Sequence, residues 1–397
     1  MIDGSRLTVI SALGVVQILA WGSSYYLPAV LAAPIAADTG WPLPWIVGAL
    51  SVGLLTAGAF APYVGRLIGE TGGRPVLAAA AVLIASGQLV LGLSSNLPVF
   101  ILGWVILGAG MAAGLYDAAF STLGRLYGST ARSAITILTL WGGFASTVCW
   151  PLSAYLVEQF GWRGACFVYA AIQLLISLPL VLTILPRVPP ELPKLSAGAS
   201  GTASGLLPAE RRAFLLLSGI VVIGGAIGAI VGVHLLTLLQ AQGIGLAAAV
   251  ALGALVGPAQ VGGRVVEMAG GGRHHPLWTM SAALGLIAIG LGLMSLDVAP
   301  IGLAIILYGA GNGVFSIARG TLPLALFGPH RYAPLVGRLA RPSLIAQALA
   351  PAASAWILES RGVVGANRTL LLLASANLLL CVGLWIAVHS TGTSAKS

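Results

Sequence analysis

Long apolar stretches restrict what this chain can fold into more than any other feature. Each covers about 20 to 27 residues, enough to cross a hydrocarbon core of roughly 30 Å as a helix. Only 7% of the 397 residues are charged, against roughly 25% in a soluble domain, so the chain must face lipid. Twelve stretches are identified, at residues 7–33, 44–65, 75–94, 98–124, 133–157, 164–185, 213–239, 246–268, 277–296, 299–323, 334–358 and 367–389.

The chain also repeats itself about 200 residues later. The recurring elements are Gly108-Ala109-Gly110 with Gly309-Ala310-Gly311, Leu126-Tyr127-Gly128 with Leu326-Phe327-Gly328, and Pro151, Glu158 and Gly161 with Pro351, Glu359 and Gly362. Repeated membrane bundles usually enclose a substrate path between the copies. We therefore predict an all-α integral membrane protein whose twelve transmembrane helices form two pseudo-symmetric six-helix bundles.

One long polar stretch separates the two copies. It is rich in proline and then, from 196 to 204, in serine, glycine and alanine, a composition typical of an unstructured tether. The predicted organisation is an N-terminal six-helix bundle at 1–186, a cytoplasmic linker at 187–212 and a C-terminal six-helix bundle at 213–397.

The distribution of basic residues predicts the orientation in the membrane. With the N-terminus inside, 15 of the 19 basic residues fall in cytoplasmic segments, as the positive-inside rule requires of an even number of spans. These residues are Arg6, Arg66, Arg74, Arg125, Arg132, Arg187, Lys194, Arg211, Arg212, Arg264, Arg273, Arg331, Arg338, Arg341 and Lys396. We predict a multi-pass protein of the cell inner (plasma) membrane with both termini cytoplasmic. The net charge of +9 is thus a topology signal, and no nucleic-acid partner is expected.

Patterns of enzymes and metal sites are absent from the sequence. It has no phosphate-binding loop, no dinucleotide fingerprint after a strand, no zinc-ligand spacing and no nucleophile elbow. The three cysteines, Cys149, Cys166 and Cys381, all lie in predicted spans and are expected to be packing residues. His274 and His275 adjoin Arg273 and indicate interfacial charge. We predict no enzyme activity, no cofactor and no metal.

One predicted cytoplasmic loop resembles a motif of the major facilitator superfamily, G-x-x-x-D-R-x-G-R-R. The stretch from Gly65 to Arg74 keeps Gly65, Gly72 and Arg74 but has Gly69 for the aspartate and Glu70 for the arginine that follows it. A degenerate copy of this motif occurs in the second half, from Gly263 to Glu267. The resemblance implies cytoplasmic gate contacts at Gly65, Glu70, Gly72, Arg74, Arg264 and Glu267. In the fifth span, Gly142-Gly143 and Trp150-Pro151 loosely resemble the glycine- and proline-rich element of the family's antiporters.

The same resemblance implies that spans one, four, seven and ten line a central cavity. The substrate-cavity or coupling candidates there are Gln17, Trp21, Ser24, Tyr25, Tyr116, Asp117, His234, Tyr308, Asn312 and Arg319. The four in the first span are spaced to share one face of a helix, and a polar-aromatic face is expected to line a cavity rather than lipid. Two roles stay open for His234: it forms a structural hydrogen bond, or it relays a proton.

Asp117 lies inside the fourth span and Arg319 inside the tenth. Each costs roughly 2.5–3.5 kcal/mol at mid-bilayer by insertion scales, and they occupy nearly equivalent places in the two copies. We hypothesise that they pair across the halves and hold one face shut until a proton or an anionic substrate weakens the pair. Two alternatives stay open: Asp117 pairs with an arginine at the cytoplasmic end (Arg66, Arg74 or Arg125), and Arg319 snorkels.

The sequence therefore predicts a secondary active transmembrane transporter that moves a small molecule by alternating access, with protons as the expected coupling ion. It is expected to lie in membrane lipid and to function as a monomer. The alternatives are a membrane channel, or a membrane scaffold or enzyme without transport. Arg319 favours an organic acid or another anion as substrate, although Asp117 would suit a cation, and the direction of transport stays open.

Overall fold

The computed structural model describes residues 4–187, 206–270, 273–295 and 300–392, and this part of the chain is helical without a strand. The helices of the first half are Gly4–Gly22, Pro28–Thr39, Leu43–Thr71, Gly73–Leu93, Leu97–Gly114, Tyr116–Tyr127, Ala131–Gly143, Ala145–Ile172 and Leu178–Ile184, with a 3₁₀ turn at Gly128–Thr130 and a π turn at Gln173–Ser177. The helices of the second half are Pro208–Ala241, Leu246–Gly253, Val256–Ala269, Pro276–Ser295, Ile301–Phe327 and Pro329–Gly392.

The described residues cross the membrane twelve times. They form nine helical stretches that are long and apolar enough to cross it. The stretch Leu97–Ile184 is 88 residues long and the stretch Pro329–His389 is 61, so each must fold back. Positive-φ glycines mark the reversals: Gly128 and Gly161 in the first stretch, Gly362 in the second. The predicted count is confirmed, and the spans are numbered 1 to 12 below.

The sequence repeat corresponds to matching turns in the two bundles. Gly128 and Gly328 have φ of 56° and 72°, and Gly161 and Gly362 have φ of 68° and 65°. A positive φ is adopted without strain by glycine and rarely by other residues. Both bundles therefore reverse the chain in the same way, between their fourth and fifth spans and between their fifth and sixth.

The paired glycines inside span 4 and span 10 also make equivalent contacts. A Cβ on Gly108 would collide with the Gly53 carbonyl of span 2, and a Cβ on Gly309 would lie 3.0 Å from the Val256 carbonyl of span 8. Small residues let the backbones of membrane helices approach closely, which maximises van der Waals contact. One hydrophobic core is built mainly from the first half and a second core from the second half.

The two halves meet toward the membrane face that carries the described chain ends, called here the termini face. There a Cβ on Gly65 of span 2 would lie 2.5 Å from the Ala333 carbonyl of span 11. Toward the opposite face, Pro28–Thr39 and Leu246–Gly253 pack against helices of their own halves. Gly228 and Gly232 of span 7 face open space. The described contacts between the halves are thus concentrated at the termini face.

Four spans predicted as continuous helices are interrupted. Span 1 (predicted as 7–33) breaks between Gly22 and Pro28 and continues to Thr39, and span 4 (predicted as 98–124) breaks at Leu115. Span 5 (predicted as 133–157) breaks at Phe144, and span 8 (predicted as 246–268) breaks between Gly253 and Val256. Hydropathy does not detect such breaks because the interrupting residues are themselves apolar or small.

The structure describes only part of the predicted linker, residue 187 and residues 206–212. Residues 188–205, with Lys194, lie outside the described residues, as does Lys396. The helix Pro208–Ala241 begins within the predicted linker. Its first turn is stabilised by Glu210, whose carboxylate accepts from the Leu207 backbone N–H at 3.0 Å.

Candidate functional site

The break in span 4 places an acidic side chain between the two halves. Leu115 is extended (φ −83°, ψ −170°), and a new helix begins at Tyr116 with Asp117 in its first turn. The amide of Gln17 in span 1, which is fully buried, donates to the Gly114 carbonyl at 2.6 Å. The N-terminal end of a helix carries a partial positive charge, which favours a carboxylate there.

Asp117 forms an ion pair with Arg319 of span 10, in the other half. The Arg319 Nη2 and Asp117 Oδ1 atoms are 2.5 Å apart, and the side chains are 22% and 20% exposed. This is the pairing hypothesised from the sequence. Of the alternative partners, Arg74 instead donates to the Leu182 carbonyl of its own half. Because the pair is only partly buried, water and protons can reach it.

An aromatic cluster borders this ion pair. The Trp21 ring lies 5.2 Å from Tyr25 and 5.2 Å from Tyr116, and Tyr116 stacks on Phe120 at 5.0 Å. The Trp21 Nε1–H is buried and has no hydrogen-bond partner. An unpartnered buried donor costs free energy, so this N–H is available to an acceptor that enters from the cavity.

The cavity between the halves is lined by the ion pair and these aromatic rings. Trp21, Tyr25, Tyr116, Asp117, Arg319 and Gln347 are among its lining residues. The volume of this cavity, measured as the space open to the centre of a water molecule, is about 40 Å³. By the same measure, one water molecule needs about 10–15 Å³. This central cavity therefore has room for a few water molecules, and in this conformation it is nearly closed.

A second arginine lies between the halves without a carboxylate. Arg264 of span 8 is only 5% exposed. Its guanidinium donates to the Thr139 carbonyl of span 5 at 3.0 Å, to the Ser316 hydroxyl at 3.2 Å and to the Gly313 carbonyl at 3.4 Å. The Tyr116 hydroxyl also donates to the Thr139 carbonyl, at 3.4 Å. The partners seen here are neutral, so this guanidinium remains an uncompensated buried cation.

Two adjacent glycines make this arrangement possible. A Cβ on Gly142 would collide with the Tyr116 hydroxyl, and a Cβ on Gly143 would collide with the Arg264 guanidinium. The Gly142-Gly143 pair thus lets both polar groups lie directly against span 5.

A third contact joins the halves closer to the termini face. Arg132 of span 5 lies 3.5 Å from Glu267 of span 8 and donates to the His274 carbonyl. Thr279 of span 9 donates to the same Glu267 carboxylate at 2.8 Å. Glu267 therefore takes part in both an intramolecular hydrogen bond of the second half and an ion pair with the first.

The residues expected at the gate are placed differently from one another. Gly65, Arg264 and Glu267 lie between the halves. Gly72 ends a helix with φ of 81°, and Glu70 is exposed. Arg74 is bonded inside its own half. None of the hydrogen bonds and ion pairs described joins Glu70, Gly72 or Arg74 to the second half.

The ten cavity candidates also divide. Trp21, Tyr25, Tyr116, Asp117 and Arg319 line the central cavity, whereas Gln17, Ser24, His234, Tyr308 and Asn312 do not. The Ser24 hydroxyl donates to the Ala20 carbonyl at 2.6 Å, and the His234 Nε2 lies 3.1 Å from the Pro351 carbonyl. Both side chains are thus engaged within their own halves. No cluster of three possible metal ligands occurs among the described residues.

Span 11 contributes residues that the sequence interpretation missed. Gln347 lines the central cavity. Tyr332 is fully buried, donates to the Gly320 carbonyl at 2.5 Å, and fills the space over Gly124 of span 4. A polar residue in an apolar span was a visible signal for Gln347, but candidates were sought in spans 1, 4, 7 and 10 alone.

Comparison with known families and proteins gives a consistent match. The family model described as Major Facilitator Superfamily matches residues 13–337. Human monocarboxylate transporter 11 is 29% identical over 275 residues, which cover 67% of this chain and 55% of that protein. The chain thus spans little more than half the length of this curated relative.

Solved structures share the fold over nearly the whole chain. The human organic anion transporter MFSD10 (TETRAN) matches with a TM-score of 0.73 and 17% identity, covering 96% of this chain and 100% of that one. The E. coli fucose:proton symporter FucP matches with a TM-score of 0.69 and 15% identity, covering 96% and 99%. At these identities the likeness is one of fold.

Proposed function

Because the chain belongs to the major facilitator superfamily, we propose that it is a secondary active transporter that carries a small organic anion together with a proton. The observation that carries this proposal is the ion pair of Asp117 and Arg319, which joins the halves inside the central cavity. Transport proceeds by alternating access, in which the halves rock around this site.

Charge balance favours an anion. Two guanidiniums, those of Arg264 and Arg319, lie between the halves, and the carboxylate of Asp117 pairs with that of Arg319, so this region carries one excess positive charge. When an anion replaces Asp117 as the partner of Arg319 and Asp117 takes up a proton, the net charge of the site stays at one positive charge. A change of net charge in a poorly hydrated site would be costly, which links anion binding to protonation.

The surrounding groups fit a carboxylate with an apolar tail. The Arg319 guanidinium is suited to bind both oxygens of a carboxylate, and the buried Trp21 N–H offers a further donor. The rings of Tyr25 and Tyr116 supply apolar contact beside them. The name of the human curated relative, a monocarboxylate transporter, also points to an anion.

The same pair couples chemistry to movement. While Asp117 and Arg319 are bonded, they hold span 4 and span 10 together near the termini face. Protonation of Asp117 with transfer of Arg319 to the anion removes this link between halves. The equilibrium then shifts toward the conformation that opens at the termini face.

We place the termini face in the cytoplasm of a cell whose inner membrane holds the protein as a functional monomer. The enrichment of arginine in the segments at that face supports this orientation. The six-helix bundles at 1–186 and 213–397 then move relative to each other about the cytoplasmic linker at 187–212.

The test is uptake into proteoliposomes. A panel of labelled short-chain monocarboxylates is offered with the interior alkaline, and the corresponding uncharged amides serve as controls. We expect saturable uptake of at least one carboxylate that follows the pH gradient and ignores a potential imposed with valinomycin. Uptake without saturation would indicate a channel. Transport of the amides but not the acids would overturn the substrate class, and dependence on the potential alone would overturn the proton coupling.

A further inference from the structure

A second cavity lies at the termini face, where span 5 of the first half meets spans 8 and 9 of the second. Its volume is about 520 Å³ by the measure used for the central cavity, within the size range of small-molecule pockets. We call it the seam groove, and its lining includes Arg132, Glu267, Arg273, His274, Trp278 and Ala282.

The polar part of the seam groove is basic. Arg132 and Arg273 come from different halves. The carboxylate of the groove, that of Glu267, already contacts Arg132 at 3.5 Å and accepts from Thr279 at 2.8 Å. Arg273 is exposed and forms none of the ion pairs described. Two guanidiniums against one engaged carboxylate leave a net positive charge.

The other part of the seam groove is apolar and faces outward. Trp278 is 60% exposed, and Ala282, one helical turn later, is exposed too. The Trp278 ring packs on Trp385 of span 12 at 4.7 Å, and the Trp385 N–H donates to Ser281 at 2.8 Å. Trp278 lies at the start of its helix and Trp385 near the end of its own, and tryptophans at helix ends are typical of the boundary between headgroups and acyl chains. The seam groove therefore lies at headgroup depth.

We propose that the seam groove binds an anionic phospholipid. Its phosphate lies between Arg132 and Arg273, and an acyl chain follows Trp278 and Ala282. A soluble anion would satisfy the guanidiniums but would leave the apolar surface uncovered, whereas a lipid matches both. The proposal does not depend on which substrate the central cavity takes.

Binding there has a conformational consequence. Because Arg132 belongs to the first half and Arg273 to the second, a phosphate between them adds an attraction across the seam. The anionic lipid therefore stabilises the conformation in which the halves are joined at the termini face.

The test compares the full chain in nanodiscs of phosphatidylcholine with and without phosphatidylglycerol, by thermal unfolding and by native mass spectrometry of retained lipid. We expect phosphatidylglycerol to raise the unfolding temperature of the wild type. Arg273→Gln should weaken the apparent lipid affinity about fivefold, the contribution of one basic residue near a surface. Arg212→Gln removes an exposed arginine of the same face outside the groove and should leave the affinity unchanged.

Two further arms decide the source of the anion and the role of the apolar surface. Inorganic phosphate added to phosphatidylcholine nanodiscs should not reproduce the shift, and an equal shift would assign the groove to a soluble anion and overturn the proposal. Trp278→Ala should weaken phosphatidylglycerol binding while retaining both arginines. Equal responses of Arg273→Gln and Arg212→Gln would show a general charge effect and would also overturn it.

Discussion

Asp117 and Arg319 lie 202 residues apart in the chain and in different halves, yet their side chains meet at 2.5 Å. Each keeps about a fifth of its side-chain surface exposed, 20% and 22%. Burial costs both charges part of their hydration, which offsets much of their mutual attraction, so the net contribution of such a pair to stability is small. The pair is therefore easily broken and remade, which suits a link between moving halves better than a static clamp.

The first prediction concerns proton coupling at Asp117. Asp117→Asn should reduce uptake driven by a pH gradient at least tenfold, because the amide cannot take up or release the proton. Exchange of labelled for unlabelled anion across the membrane should persist, since the neutral amide resembles the protonated carboxyl and leaves Arg319 to the substrate. Both rates are measured in proteoliposomes.

Asp38→Asn is the matched control. Asp38 pairs with Arg163 and accepts from the Trp162 N–H at 2.9 Å at the opposite face, away from the central cavity. Its loss should leave pH-driven uptake within about twofold of the wild type, a change of less than 0.5 kcal/mol. Unchanged pH dependence in Asp117→Asn would remove this carboxyl from the coupling mechanism.

The second prediction separates binding from stability at Arg264. Arg264→Met should raise the KM for the anion about tenfold, or about 1.4 kcal/mol, because it removes the excess positive charge that lies between the halves. The unfolding temperature should stay the same or rise, because a buried cation without a carboxylate is replaced by an apolar side chain of similar length.

Arg264→Lys tests geometry at the same site. The ammonium keeps the charge but cannot reproduce the divergent bonds to Thr139, Ser316 and Gly313. We expect a KM between those of the wild type and Arg264→Met. A large drop in unfolding temperature with unchanged KM would show that Arg264 holds the halves together without contributing to the anion site.

The third prediction concerns the close approach of span 2 and span 11. Gly65→Leu cannot fit while the Ala333 carbonyl would lie 2.5 Å from the new Cβ. Overpacking of this kind costs about 1–3 kcal/mol, so the population open at the termini face should rise about fivefold or more.

A cysteine at Ser121, which lines the central cavity, reports this change. Its labelling from the termini face by a membrane-impermeant maleimide should accelerate in Gly65→Leu. The native cysteines are buried, which keeps the background low. Gly228→Leu is the control, because Gly228 faces open space. Equal labelling rates in both variants would show that the Gly65 contact does not control access.

The fourth prediction concerns acid sensitivity in the first turn of the helix Pro208–Ala241, which precedes the membrane-spanning part of that helix. Arg331 donates to Glu210 at 2.5 and 2.9 Å, and this contact lowers the pKa of the Glu210 carboxyl from its ordinary value of 4.5. A lowered pKa stabilises the folded protein above the ordinary value, and the contribution disappears as pH falls through the lowered one.

Glu210→Gln should therefore lower the free energy of unfolding at pH 7 by less than about 1 kcal/mol, because the pair is partly exposed and water screens it. The difference from the wild type should vanish as pH falls below 4.5. Glu70→Gln changes an exposed carboxylate of the same face that forms none of the ion pairs described, and it should leave the unfolding temperature at pH 7 unchanged. A difference that grows toward acid pH would contradict the assignment.

Much of the fold was predictable because it depends on local properties of the chain. Hydropathy over about 20 residues decides whether a segment crosses the membrane, so the twelve spans followed from composition. The sequence repeat pairs Gly128 with Gly328 and Gly161 with Gly362, and all four have a positive φ. The repeat therefore identified equivalent turns in the two bundles. The in-span charges Asp117 and Arg319 stood out because isolated charges in lipid are costly.

The sequence by itself determined the number of crossings, the two-bundle repeat and the two residues of the central ion pair. Tertiary structure decided the rest: the breaks at Ser23–Leu27 and Leu115, the burial of Arg264 against Thr139 and the place of Gln347 in the cavity. Hydropathy and turn geometry act within one segment of the chain. A hydrogen bond to a carbonyl more than 100 residues away forms only when two separately folded bundles come together.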